Sequence, residues 1–506
     1  MPIREIPARP NLEHLKNQAH TLLDELRAQD PSAGERFGAF GIPASEAKLA
    51  DALHVIAREY GFSTWPALKS HLEPISEDPV ETLIAALKAN DVSLVRDAFS
   101  CNPSLQSRID EPLPNFGFEA PSLIAAVNRD NREMVDVLLD MGANINERSR
   151  WWAGSYGVLD SASPALAAYL IDRGATVDIH AAARLGMLDR VRSLLASDAQ
   201  LVHARGGDGQ LPLHFAASVE IAALLIEAGA ALDARDIDHE STAVQYMVCL
   251  QPYRHDVAKF LIAKGAQSDI YVAAAVGDGE RVRQIVDHNP DTVRIQVGEM
   301  AFPKEDPRAG GSIYFYGFGW GRTPHMVAHR FGHMEIFEYL MVRSSPWLRL
   351  AQACEIHDEA LAAEILAAHP RLIQSISPMA ARRIVGATTR NNTRAVEMLV
   401  AAGWPVAVLN DNNQTPLHYA AWHGNLTLVT ALLARNAPVH VLETQYGGSP
   451  LGWALHGSLH SWERNKGDYP GVVRALLAAG ADIPKPLARP LQATEELLGI
   501  LREHDG

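Results

Sequence analysis

The chain has 506 residues, 47% hydrophobic and 21% charged, the balance of an ordinary globular protein rather than of a disordered or membrane-embedded one. Its formal net charge of −15 argues against nucleic acid as a partner. Phosphate binding draws on clustered Lys and Arg, whereas here Arg148, Arg150, Arg184, Arg190 and Arg192 lie dispersed among acids. Cys101, Cys249 and Cys354 are widely spaced and form no C-x-x-C pair, which argues against a disulfide framework and a zinc knuckle. A charged, proline-broken N-terminus predicts no secretory signal, no membrane span and a cytoplasmic chain.

Residues 1–76 read as a small helical domain. Leu12, Leu15, Ala19, Leu22, Leu23 and Leu26 share one face of a helix within 11–29. Ser45 is placed to cap a helix over 45–60 that carries Leu49, Leu53 and Ile56. Ser63 and Thr64, with Pro66 in the first turn, predict a third helix.

From residue 77 a two-helix unit recurs. It is visible at 77–110, 120–148 and 178–205, then at 206–236, 237–269 and 270–296, with an unusually aromatic loop at 151–160. The period is interrupted at 297–320 by an insertion rich in Gly, Pro and aromatics, resumes at 321–340, and continues through weaker units at 346–376 and 377–411. The unit at 445–487 is itself stretched by HGSLHSWERNKGDYPG, a second insertion over 456–471, and 493–503 predicts a final capping helix.

The clearest unit is 412–444. Thr415-Pro416 starts a helix with proline in its first turn, Ala420-Ala421 lets a second helix approach closely, and Gly424 breaks the first helix. Leu426, Val429, Leu432 and Leu433 form an apolar stripe on the second helix, which must be buried against neighbours. The tetrapeptide Thr415-Pro416-Leu417-His418, followed by Ala420-Ala421, Gly424 and Leu432-Leu433, resembles an ankyrin repeat. The resemblance implies an all-α ankyrin-repeat solenoid of roughly a dozen degenerate repeats of about 33 residues, with two loop insertions and a concave groove. It leaves no room for a separate catalytic domain. The 1–76 segment is similar to the N-terminal extension that precedes ankyrin arrays in some bacterial proteins. In this family the tetrapeptide histidine is structural, the role expected for His214 and His418.

Within that repeat logic Tyr419, Trp422 and His423 face the groove, and Trp453 and His456 follow one repeat on. Phe215, Tyr246, Arg184, Arg330 and Phe331 hold comparable positions, and the fingers bring Asp208, Asp238, His239, Glu240 and Asp411. The insertions add Tyr316 and Trp320, and His460, Trp462, Glu463 and Tyr469. Core packing is the alternative for Trp422 and Trp453, but alanines and leucines already fill the core positions.

Two functions fit. One is a non-catalytic binding protein that holds a partner protein, or a small polar or aromatic ligand, along the aromatic groove and finger loops. The other is an enzyme or small-molecule-binding protein whose site lies under the insertions, with Asp208, Glu240 or histidines as acid–base groups if the fingers lie side by side. No cofactor is expected. No metal is expected either: His456 and His460 have i, i+4 spacing, but Gly457 and Ser458 weaken the helix and no H-E-x-x-H completes a ligand set. GFGWGR at 317–322 is not a G-x-G-x-x-G fingerprint.

Overall fold

The computed structural model describes residues 12–28, 30–40, 42–43, 47–62, 64–65, 68, 78–114, 116–298, 302–483 and 492–505. The chain forms two compact units, 1–181 and 182–506. Both are built from helices, and the fold is an all-α repeat solenoid. Extended pairing among the described residues amounts to one isolated bridge, Arg235 with Thr242. No helix among them is long and apolar enough to cross a membrane.

In the first unit, helices Leu12–Arg27, Pro31–Gly38 and Leu49–Glu59 enclose a core of Leu15, Ala19, Leu22, Phe37, Val55, Ile56 and Leu68. Helix Pro31–Gly38 was not expected from the apolar pattern. It starts on a local signal instead, with Pro31 in the first turn and the Asp30 carboxylate accepting the amides of Ser32 and Ala33. Arg36 clamps Glu59 through two hydrogen bonds of 2.7 and 2.9 Å. The expected cap Ser45 and most of the third helix, with Ser63 and Pro66, lie outside the described residues. Helices Pro79–Ala89, Val92–Cys101, Ser122–Val127, Arg132–Asp140 and Pro164–Asp172 follow. The aromatic loop at 151–160 packs Trp151 edge-on against Phe118 at 5.5 Å. Arg148 joins Asp160 and Asp178 beside it.

In the second unit the clearest repeat shows why the pattern folds. Thr415 caps helix Pro416–Trp422, accepting the His418 amide. His418 Nδ1 accepts the Thr415 amide, so Nε2 carries the proton and donates to the carbonyl of Gly448 in the next finger at 3.2 Å. Gly424, at φ 64°, ends the helix in the left-handed conformation. Helix Leu426–Leu433 then buries Leu428, Val429 and Leu432. These side chains belong to one apolar core that runs from Leu350 to Leu501, where helix Glu495–Asp505 covers the array with Leu497, Ile500 and Leu501.

The two insertions behave differently. The neck of the first is closed by hydrogen bonds from Val297 N–H to Arg322 and from Gly321 N–H to Val297. Its middle is a plug: Tyr314 is fully buried, stacks on Phe318 at 5.2 Å and donates to Asp269 at 2.8 Å. Gly317 lies so close to helix Ala243–Cys249 that a Cβ there would stand 2.5 Å from the Cys249 carbonyl oxygen. The second insertion is shorter than expected. Helix Pro450–His460 continues through Gly457 and Ser458, and only a turn at 461–468 separates it from helix Tyr469–Ala478. The glycine that weakened the helical reading is required by packing, since its Cβ would lie 2.5 Å from the Trp422 carbonyl oxygen.

Candidate functional site

The close crossing at Gly457 brings side chains of two successive first helices together. Trp453 meets Tyr419 at 5.3 Å and Trp422 at 6.1 Å, both edge-on. Trp422 then meets His456 at 5.7 Å and Trp462 at 6.2 Å, and His456 meets His460 at 4.3 Å. Offset and edge contacts of this kind are the favourable aromatic geometry. The group grades from half-buried Tyr419, Trp422 and Trp453 to exposed His456 and His460 and to Trp462, whose surface is 67% exposed. Glu463, next to Trp462 in sequence, is half-buried. Burial, and the neighbouring His460, lower the pKa of His456.

Three residues expected on the groove are turned inward. His423 is 2% exposed and donates from Nε2 to the Thr389 carbonyl at 3.0 Å, which ties one repeat to the preceding one. Burial lowers its pKa. Tyr469 belongs to the first turn of a helix rather than to a mobile wall; its ring is buried and its hydroxyl donates to the Trp422 carbonyl at 2.9 Å. Tyr246 is 4% exposed and donates to Asp236 at 3.0 Å, so burial and that carboxylate raise its pKa well above the ordinary value. In each case a polar atom that sequence periodicity left free finds a partner only through packing.

A second group forms where two fingers lie side by side under the first insertion. The Asp208 carbonyl accepts the amides of Ile237 and Asp238 at 2.9 and 3.1 Å, which joins the two turns. Asp208, Asp238 and His239 are 7%, 5% and 8% exposed. His239 Nε2 lies 3.4 Å from Asp208 Oδ2 and 3.7 Å from Asp238 Oδ2. Burial opposes charge on His239, but the hydrogen bond and Coulombic pull of Asp208 and the bond to the Gly311 carbonyl hold its pKa above the ordinary value. Burial raises the pKa of Asp238, against the pull of His239.

Glu240 is not a free acid. Its carboxylate accepts the amides of Glu305 and Asp306 at 2.7 to 3.0 Å and pins the insertion to the finger. Tyr316, 61% exposed, packs on His239 at 4.8 Å. Trp320 is half-buried, its carbonyl accepting from Arg390, which also pairs with half-buried Glu355. Segment 302–305 walls a cavity of about 710 Å³ whose lining includes Arg235, His239, Ser268, Asp269 and Arg281. Apart from Trp320, which packs by Gly298 and Arg390, the sequence-derived site residues fall into two groups, one around Trp422 and one around His239.

The paired helices, the capped T-P-L-H start and the finger-to-finger histidine bonds agree with the comparisons to known families. Residues 122–150 match the family described as "Ankyrin repeat", 179–273 "Ankyrin repeats (3 copies)" and 380–433 "Ankyrin repeats (many copies)". The chain is an ankyrin-repeat protein. No curated protein matches it. Ankyrin repeats generally serve as protein-interaction modules. The tetrapeptide histidines of this ankyrin array are structural: His214 donates to Ser241 at 3.1 Å as His418 does to Gly448. Burial pushes both imidazoles down to about 4. Polar links that pattern reading missed also follow the ankyrin period. Asn425 bonds Asn391, and Arg390 pairs with Glu355, each about one repeat apart.

Proposed function

We propose that this ankyrin-repeat protein holds a segment of a partner protein on the face formed by helices Pro416–Trp422 and Pro450–His460. The observation that carries the reading is the continuous ring contact from Tyr419 through Trp453 and Trp422 to exposed Trp462, with His456 and His460 beside it. Rigid, half-desolvated tryptophans supply large contact area at low entropic cost and dominate interface energetics. Trp422, Trp453 and Trp462 are the anchors in this reading, and His456, His460 and Glu463 the orienting polar groups.

Affinity capture on the immobilised full chain tests it, comparing wild type with Trp422→Ala, Trp462→Ala and the remote control Val342→Ala, whose side chain is 80% exposed. The expected result is a protein retained by wild type and control, with affinity for the purified partner weakened more than about fivefold by either tryptophan variant, or about 1 kcal/mol. Full retention by both tryptophan variants together with lower thermal stability overturns the reading. The cavity beneath 302–305 favours a second one, a small-molecule or enzymatic site. A compound that raises the melting temperature of wild type but not of Arg281→Ala supports it, and no such compound from a metabolite panel counts against it.

A further inference from the structure

Around His239 three acceptor atoms converge from two finger turns. The imidazole's other nitrogen, Nδ1, lies 3.0 Å from the Gly311 carbonyl oxygen, which can only accept, so Nδ1 carries a proton. Nε2 then points toward Asp208 Oδ2 and Asp238 Oδ2. Two carboxylate oxygens and Nε2 this close need something electropositive between them, either a proton on Nε2 donated to Asp208 or a bound cation in its place. Among the described residues neither carboxylate pairs with Lys or Arg; Lys304, whose charge acts on Asp238, donates to the Ala309 carbonyl. Asp208, 7% exposed, keeps its second oxygen, Oδ1, buried with no hydrogen-bond partner.

The geometry points to a divalent metal site of the zinc class, with Asp208, Asp238 and His239 as ligands. The three ligand atoms lie within 4.8 Å of one another. Ligands about 2.1 Å from an ion at tetrahedral or octahedral angles stand roughly 3.0–3.4 Å apart, so small side-chain movements close the set. A ligating histidine whose other N–H donates to a backbone carbonyl is the usual outer-shell arrangement, and here Gly311 supplies it. One imidazole with two carboxylates suits Zn²⁺, Co²⁺ or Mn²⁺ better than Ca²⁺, which prefers an all-oxygen shell. Because Gly311 belongs to the insertion and the ligands to two fingers, a bound ion would join three chain segments at one point. The proposal runs against the expectation of no metal, which weighed only His456 and His460, and it is independent of the partner-binding reading.

The test is calorimetric titration of the full chain with Zn²⁺ and with Co²⁺, for wild type, Asp208→Asn, His239→Gln and the double variant His456→Ala/His460→Ala. One ion per chain is expected in wild type, with Kd raised at least tenfold by Asp208→Asn and by His239→Gln and unchanged by the double variant. Co²⁺ should give a d–d absorption band and broaden the His239 imidazole signals by NMR, a readout on the wild-type chain that does not need the variants to fold. A wild-type chain that takes up no ion overturns the proposal and leaves an imidazolium held by two aspartates. Uptake that follows only the His456/His460 variant, or Co²⁺ that leaves His239 unperturbed, overturns it equally.

Discussion

Residues 236–320 and 410–470 are built on the same repeat, and they use their first helices in opposite ways. In the earlier region the insertion lies on helix Ala243–Cys249 and its groups are bonded within the chain: the amides of 305 and 306 to Glu240, Tyr314 to Asp269, Ile313 to Ser241. In the later region the turn at 461–468 stops short, so Trp422, Trp453 and Trp462 contact each other and solvent. An insertion of an ankyrin array can therefore cover a first-helix face or leave it open, and the difference lies in whether its own side chains fill the space over that helix.

The largest effect expected is on the core beneath the open face. Leu432→Ala removes a fully buried side chain between repeats and should cost about 2–5 kcal/mol. Because repeats couple chiefly to their neighbours, calorimetry should show the transition splitting, with 410–470 melting before 236–320. A single transition shifted as a block would break the comparison.

Acid should loosen the two tetrapeptide-histidine tethers alike. His214 and His418 are both buried and held neutral, with pKa pushed down to about 4. A depressed pKa contributes stability that is fully present above the unfolded value near 6.5 and is lost as pH falls through about 4. For His214 the loss is on the order of 3 kcal/mol, and hydrogen exchange at pH 7 and pH 4.5 should show both fingers loosening together. Protection retained at either finger would mean that its histidine is not the neutral tether described.

Glu240→Gln sharpens the contrast from the covered side. Losing the charge that accepts the amides of 305 and 306 should cost about 1 kcal/mol, since the carboxylate is partly solvated. Exchange at 302–313 should quicken while 416–460 is unchanged. The smallest stability effect belongs to the open side: Trp462→Ala should shift unfolding by no more than about 0.5 kcal/mol while weakening partner affinity more than about fivefold. A large loss of stability would show that Trp462 is a packing residue.

Much of this protein is local in origin. The helix starts at Thr415-Pro416, the breaks at residues such as Gly424, and the apolar positions Val429 and Leu432 depend on neighbours within one or two turns, so a single repeat displays them, whereas Leu428 is buried in place of the expected Leu426 and Leu433, which are half-buried. The convergence of Tyr419, Trp422, Trp453 and His456 was readable from the period as well, because one repeat carries equivalent positions to adjacent places. Tertiary structure alone decided which polar groups would be free. His423, Tyr246 and Tyr469 were drawn inward by carbonyls and a carboxylate that packing placed within reach, and Gly457 was kept in a helix by the approach of another backbone. The meeting of Asp208 with Asp238 and His239 belongs to the same class. Each finger shows its own acids, but the distance between two fingers, and the Gly311 carbonyl that fixes the imidazole, exist only after the repeats stack and residues 302–313 settle on them.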